Sequence, residues 1–301
     1  MKATKCKFFY NFFNLKRSKI INLKLKSTNI IIMLSLKQID SLIEISKEAG
    51  EAIMNIYSTN YDYAIKKDDS PITIADTTSN DIISDSLRSL TPNIPILSEE
   101  NSDIPYEERY LWETYWLVDP LDGTKEFIQR NDDFTVNIAL IQNNRPVFGV
   151  IYIPATKELF WGTKANGSYH IDDKGHQTSI NVSQKTGESI RLAMSRSHPS
   201  DELNKIMSKI KKKEVITAGS SLKFCLVANG SADCYPRFGP TSEWDTGAGE
   251  AIVIFAGGYV CQEDGQQILY NKKRNYINSS FIVANSRELA TQILNFKESN
   301  L

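Results

Sequence analysis

The sequence predicts a mixed α/β protein, with an α+β N-terminal half and an α/β C-terminal half. Three observations carry that prediction. Two amphipathic helical stretches come first. A run of short alternating segments reading as antiparallel strands follows. After about residue 188 strands and helices alternate, the pattern of a sheet covered by helices. The chain has 301 residues, 41% hydrophobic and 24% charged, enough for a sizeable core and ordinary for a globular protein. Global disorder is excluded. So is a collagen-like chain, because its 15 Gly and 10 Pro show no period. The longest apolar runs, Ile30–Leu34 and Ala251–Val260, fall far short of the roughly 18 residues that span a bilayer. Four cysteines (Cys6, Cys225, Cys234, Cys261) without C-x-x-C spacing argue against a zinc site or disulfide scaffold and fit a reducing, cytoplasmic compartment.

Residues 1–33 stand apart as a basic extension. The first 39 residues hold nine basic side chains and no acid. Lysines interrupt every apolar run, unlike a secretory signal. The readings left open are a disordered tail, an organelle presequence, or an upstream extension before a start at Met33. A basic aromatic tail also permits peripheral contact with an anionic cytoplasmic membrane face. The remainder carries 26 basic against 36 acidic residues. So acidic a body does not suit a nucleic-acid polymer. It suits a phosphorylated small molecule if metal ions lie between.

The elements follow from periodicity. Leu36, Ile39, Leu42, Ile43, Ala49, Ile53 and Ile56 share one helical face. A second helix is expected from Asp76–Thr78 to Leu90, before Thr91-Pro92. Ile94–Leu97 and Tyr115–Val118 read as strands, and Phe134–Gln142, Val147–Tyr152 and Glu158–Trp161 as antiparallel strands separated by turns such as Asn143-Asn144. His170 and His176 fall in an expected polar loop. The second half reads as strands at Ile190–Met194, Glu214–Ala218, Ala232–Tyr235 and Phe281–Ala284. Helices are expected at Asp201–Lys211, Ser221–Asn229, Thr246–Ala256 and Arg287–Leu294. The domain reading is therefore 1–33, 34–188 and 189–301.

Chemistry concentrates at strand ends. Trp116-Leu-Val-Asp119-Pro120-Leu121-Asp122-Gly123-Thr124 delivers Asp119 on an apolar strand, which Pro120 should end because it lacks an N–H. Gly123 permits a tight turn, so two carboxylates three residues apart can converge on one point. Hard oxygen ligands of this kind suit Mg²⁺. Glu99 and Glu100 follow a strand, and Asp245 opens a helix. Each has an ordinary alternative: a surface turn for Asp119 and Asp122, a solvated loop for the glutamates, a helix N-cap for Asp245. Gly219-Ser220-Ser221-Leu222-Lys223 leads into a helix and could receive an anion, or simply cap that helix. Ser195, Arg196 and His198 follow a strand and could meet a second phosphate. Arg237 could pair with phosphate or stack on a base. Gly247-x-Gly249 lacks the third glycine of a dinucleotide fingerprint. No Ser-His-Asp or Cys-His signature stands out.

These strings together resemble the inositol-monophosphatase-like family of Mg²⁺-dependent, lithium-sensitive phosphatases. The segments Ser70–Asp76, Leu97–Glu100, Tyr115–Phe127, Gly219–Cys225 and Tyr235–Pro240 resemble its bisphosphate nucleotidase (CysQ) branch. The resemblance covers about Leu34–Ile282 and leaves out the extension. It implies a layered αβαβα sandwich. It implies two or three Mg²⁺ ions held by Glu99, Asp119, the carbonyl of Leu121, Asp122 and Asp245. Position by position it makes Thr124 the hydroxyl that orients the attacking water and Asp76 the acid that takes up a proton through it. Substrate contacts would come from Glu99, Leu121, Asp122, Gly123, Thr124, Ser195, His198, Ser220, Ser221, Lys223, Arg237 and Asp245. The implied substrate is adenosine 3′,5′-bisphosphate, hydrolysed to AMP and phosphate, with 3′-phosphoadenylyl sulfate as a second candidate, in sulfur assimilation. The rival readings are an inositol monophosphatase with the same centre and a catalytically silent nucleotide- or anion-binding protein.

Overall fold

In the computed structural model, residues 33–59, 62–65, 71–184, 189–195 and 201–298 are described here. The extension through residue 32, Arg196 and His198 lie outside these residues. The first helix, α1 (Leu36–Tyr57), opens with a capping box in which Ser35 and Gln38 satisfy each other's backbone N–H. Its buried face is Ile39, Leu42, Ile43, Ala49 and Ile53. A short hairpin, β1 (Tyr63–Ile65) and β2 (Pro71–Thr73), leads into α2 (Ile74–Leu90). That helix starts before the expected Asp76–Thr78 because Thr73 is its N-cap and Asp76, at the third helical position, closes a second capping box.

A seven-stranded sheet follows: β3 (Ile96–Ser98), β4 (Thr114–Asp122), β5 (Thr135–Gln142), β6 (Arg145–Ile153), β7 (Glu158–Thr163), β8 (Gly167–Ile171) and β9 (Gln177–Ile180), in chain order. Only the β3–β4 pair is parallel. Asn143 and Asn144, at φ 51° and 63°, make the two-residue turn between β5 and β6, where both positions need positive φ. Strands β8 and β9 replace the expected polar loop. His170 lies in β8, stacked on Phe160 with ring centroids 4.5 Å apart and 2.8 Å from Glu158; His176 lies in the turn after it, near Asp172. The four-residue helix α3 (Tyr106–Arg109) bridges β3 to β4, and α4 (Thr124–Ile128) follows β4.

The second sheet has the order β11-β10-β12-β14-β13, from β10 (Ile190–Ser195), β11 (Lys213–Ala218), β12 (Cys234–Arg237), β13 (Tyr259–Gln262) and β14 (Phe281–Ala284). Its helices are α5 (Asp201–Lys209), α6 (Leu222–Ala228), α7 (Trp244–Phe255) and α8 (Arg287–Glu298). Strand β13 falls where the sequence showed only the end of an apolar run.

Side-chain alternation stacks these parts into layers. On β6, Tyr152 meets α1: a Cβ on Gly50 would lie 2.3 Å from its ring. The opposite face of β6 meets α7, where a Cβ on Gly149 would lie 2.4 Å from the Ala248 carbonyl. Ala193, Tyr235, Val260, Phe281 and Val283 of the second sheet share a core with α6 and α7. Its other face, Leu192, Cys234, Cys261 and Ile282, packs on Leu203 and Ile206 of α5 and Ala290 and Ile293 of α8. The order is helices, seven-stranded sheet, helices, five-stranded sheet, helices: the αβαβα sandwich expected. Both sheets belong to one compact unit beginning at Ser35. Among the described residues, no helix is long and apolar enough to cross a membrane.

Candidate active site

The site forms where β3 and β4 end. Strand β4 does not stop at Pro120; it continues to Asp122 across a bulge, pairing Asp119 with Asn137 and Asp122 with Thr135. Pro120 and Leu121 on β4 thus oppose Val136 alone on β5. In a regular strand residues three apart point to opposite faces, and the extra residue returns Asp122 to the face of Asp119. The proline is tolerated because the ladder is interrupted there. Ser79 of α2 donates to the Pro120 carbonyl at 2.7 Å and pins the bulge from behind.

Parallel pairing of Ser98 with Val118 sets Glu99 beside Asp119. Asp119 is buried, and its carboxyl is pushed far above the usual range by burial, then by Glu99, Asp122, Asp245 and Asp76. Burial likewise raises Asp122 to about 6, opposed by Lys223. It raises Asp245 strongly, with Asp122 and Glu99 adding to the effect. Asp245 is not the cap of α7. Glu243 holds that position, and Asp245 sits in the first turn, accepting from Ser242 N at 2.9 Å.

Gly123, at φ 93°, turns the chain from β4 into α4. A side chain there would be strained and would press on Asp133 and Ser220. The turn leaves Thr124 Oγ1 3.0 Å from Asp76 Oδ1, to which it donates, and 3.3 Å from the Leu121 carbonyl. The other Asp76 oxygen accepts from Thr73 N and Thr73 Oγ1, each at 2.7 Å. Carboxylates, carbonyl and hydroxyl from the 49 residues between Asp76 and Thr124, and Asp245 from far beyond them, therefore meet at one end of the sheet.

A cavity of about 220 Å³ opens beside Asp122 and Asp245. Ser195, Ser220, Lys223 and Arg237 line it, as the sequence suggested. Ser221 does not: it is buried, with its hydroxyl 2.7 Å from Thr135 Oγ1 and donating to Asn137 Oδ1 at 2.8 Å. Lys223 donates to the carbonyls of Ala218 and Ser220, and burial lowers its pKa to about 8. Arg237 donates to the Pro240 carbonyl at 3.0 Å. Sequence reasoning passed over Lys125, Glu126, Gln129, Tyr235 and Thr241 as lining residues. The Lys125-Glu126 pair directly after Asp-Gly-Thr was the signal for the first two.

A sequence model of the inositol monophosphatase family matches residues 35–299. The chain belongs to the inositol monophosphatase family. It is 44% identical over 247 residues to a protein of Salmonella typhimurium named 3′(2′),5′-bisphosphate nucleotidase CysQ, covering 81% of this chain and 98% of that one. The Escherichia coli K12 protein of the same name is 42% identical over 249 residues, covering 82% of this chain and 99% of that one. The crystal structure of CysQ from Bacteroides thetaiotaomicron superposes with a TM-score of 0.71 at 40% identity, over 81% of this chain and 95% of that one. The fold and the branch read from the motifs both agree with these relatives.

Proposed function

We propose that this chain is a 3′(2′),5′-bisphosphate nucleotidase that removes the 3′-phosphate of adenosine 3′,5′-bisphosphate with the help of Mg²⁺. Relatives of that name at more than 40% identity over nearly their whole lengths support the activity. The observation that carries the chemistry is the Asp76–Thr124 pair set beside the buried Asp119 and the half-buried Asp122. Hydrolysis forms a bond from water oxygen to phosphorus and breaks the bond from phosphorus to the 3′-oxygen; the attacking water loses a proton, and the departing 3′-oxygen takes one from a second water. Because Thr124 gives its own proton to Asp76, its oxygen is free to accept one from water and so aim that water. Asp76 is the terminal acceptor for a proton passed through the hydroxyl. Lys223 and Arg237 line the cavity with positive charge suited to the second phosphate.

The residues fit a divalent cation. Asp119, Asp122, Asp245 and Glu99 crowd their negative charges until burial and repulsion push three of them toward protonation. Among the described residues no three such side chains already enclose one metal position; Mg²⁺ keeps several waters and takes few protein ligands. Glu99, Asp119, the Leu121 carbonyl, Asp122 and Asp245 would hold two or three ions. Bound there, they would neutralise the phosphate and stabilise the leaving oxygen. Phosphate release from adenosine 3′,5′-bisphosphate and from inositol 1-phosphate in Mg²⁺ tests this reading. A clear preference for the nucleotide, falling as Li⁺ rises, is expected. Preference for the inositol phosphate, or tight nucleotide binding without turnover, would overturn it.

A further inference from the structure

We propose that Arg109 is a positioning residue for the metal-ligand carboxylates: its buried guanidinium fixes the turns carrying Glu99 and Asp245 relative to one another. The proposal rests on the metal-centred reading above and concerns a residue that takes no part in the reaction.

Arg109 is fully buried at the end of α3, between the turn of Glu99 and strand β4. A buried guanidinium is costly unless its N–H groups are satisfied; Nη1 and Nη2 find partners in one stretch of chain, while Nε has no hydrogen-bond partner among the described residues. Nη1 donates to Asn271 Oδ1, and Nη2 donates to the carbonyls of Lys273 at 3.0 Å and Arg274 at 2.6 Å. The guanidinium lies 4.3 Å from the centre of the Tyr276 ring. Residues 271–276 therefore wrap around one side chain.

Two routes run outward from that wrap. Toward Asp245, the Asn271 N–H donates to the Glu243 carboxylate at 2.9 Å, and the Glu243 N–H donates to the Tyr276 carbonyl at 2.8 Å. Glu243 caps α7 two residues before Asp245. Asn271 is held at φ 58°, a left-handed conformation, with its amide donating back to the Arg109 carbonyl. Toward Glu99, the Tyr276 hydroxyl donates to the carbonyl of Ser102, which ends the turn Glu99–Asn101. Two turns bearing like charges would separate if free. Here one cation, itself outside the cavity, ties both to the same short strap.

The test is Mn²⁺ binding to the full chain without substrate, followed by electron paramagnetic resonance, in Arg109→Lys and Tyr276→Phe. Arg145→Lys, which alters a buried ion pair further along α7, is the control for general destabilisation. The Mn²⁺ dissociation constant is expected to rise about tenfold in Arg109→Lys and about threefold in Tyr276→Phe. The Mg²⁺ concentration for half-maximal turnover should rise in step, with KM for the nucleotide at saturating Mg²⁺ unchanged and the control within about twofold of wild type. Tyr276→Phe removes a single hydroxyl and decides the matter if Arg109→Lys does not fold. Wild-type affinity in the folded variants, with binding lost in Asp122→Asn, overturns this inference alone. A wild-type chain that binds no Mn²⁺ overturns the metal reading with it.

Discussion

Asp76 serves two structures with its two oxygens. One closes the capping box of α2 against Thr73, and the other accepts the hydrogen bond of the Thr124 hydroxyl. Asp76→Asn keeps an acceptor oxygen for only one of these partners and cannot receive a proton, so turnover should fall by about 10²–10⁴, the usual worth of positioned acid–base catalysis. Thr124→Ser retains the hydroxyl and should stay within about tenfold of wild type, whereas Thr124→Val should lose activity as Asp76→Asn does. Steady-state kinetics at saturating Mg²⁺ reads both; an active Thr124→Val would remove the hydroxyl from the mechanism. Asp122→Asn separates function from folding more sharply. It should cost at least about hundredfold in turnover, roughly 2.7 kcal/mol of barrier. Yet the carboxyl it replaces is already strained by burial and by Glu126 and Glu99. The metal-free melting temperature should therefore hold, and a collapse of that temperature would mark Asp122 as structural.

At the level of elements, glycines record how closely the layers approach. A Cβ on Gly249 of α7 would stand 2.3 Å from the Phe224 ring of α6, and one on Gly247 would stand 2.9 Å from Leu117 of β4. Gly249→Ala should therefore cost about 1–3 kcal/mol as overpacking, read as a lower urea midpoint with an unchanged slope. A neutral result would mean that the two helices can part. The sequence alone shows Gly247-x-Gly249 as a failed nucleotide fingerprint rather than as a packing contact, because contacts this distant leave no local trace. Helices with a clean apolar face, such as α1, were legible because their burial is one-sided. Strands β8 and β9 were not, because Ser168, His170, Gln177 and Ser179 make them too polar for an alternating pattern. The bulge in β4 was half legible. Asp-Pro marked a disturbance, but only pairing with β5 shows that the strand resumes and turns Asp122 to the face of Asp119. Gln129, Tyr235 and Thr241 line the cavity by tertiary approach, which one sequence does not display.

Across the whole molecule, the family match and the first capped helix both begin at Ser35. Deleting residues 1–32 should leave turnover and melting temperature unchanged; sedimentation with anionic vesicles, lost only in the deleted form, would assign the basic stretch to lipid. The interior between the two sheets makes a stronger demand. Glu250 of α7 is fully buried there, accepting from Arg145 Nη2 at 2.9 Å and from the Tyr270 hydroxyl at 2.7 Å. Burial outweighs the arginine and raises the carboxyl from the usual 4.5 to about 7. Between those values the folded chain keeps a proton that the unfolded chain has released. The group's favourable contribution is complete below 4.5 and is lost as pH rises through about 7. At about 1.36 kcal/mol per pKa unit, the rise amounts to roughly 3 kcal/mol, most of it lost between pH 5 and pH 8. Glu250→Gln has no proton to lose. Urea unfolding of the two proteins at pH 5 and pH 8 should therefore show the variant gaining on wild type by most of that amount at the higher pH. Subtraction cancels every other titrating group the two share. A gap that stays constant between the two pH values would show that Arg145 holds Glu250 ionised throughout, and that the layers are joined by a full ion pair.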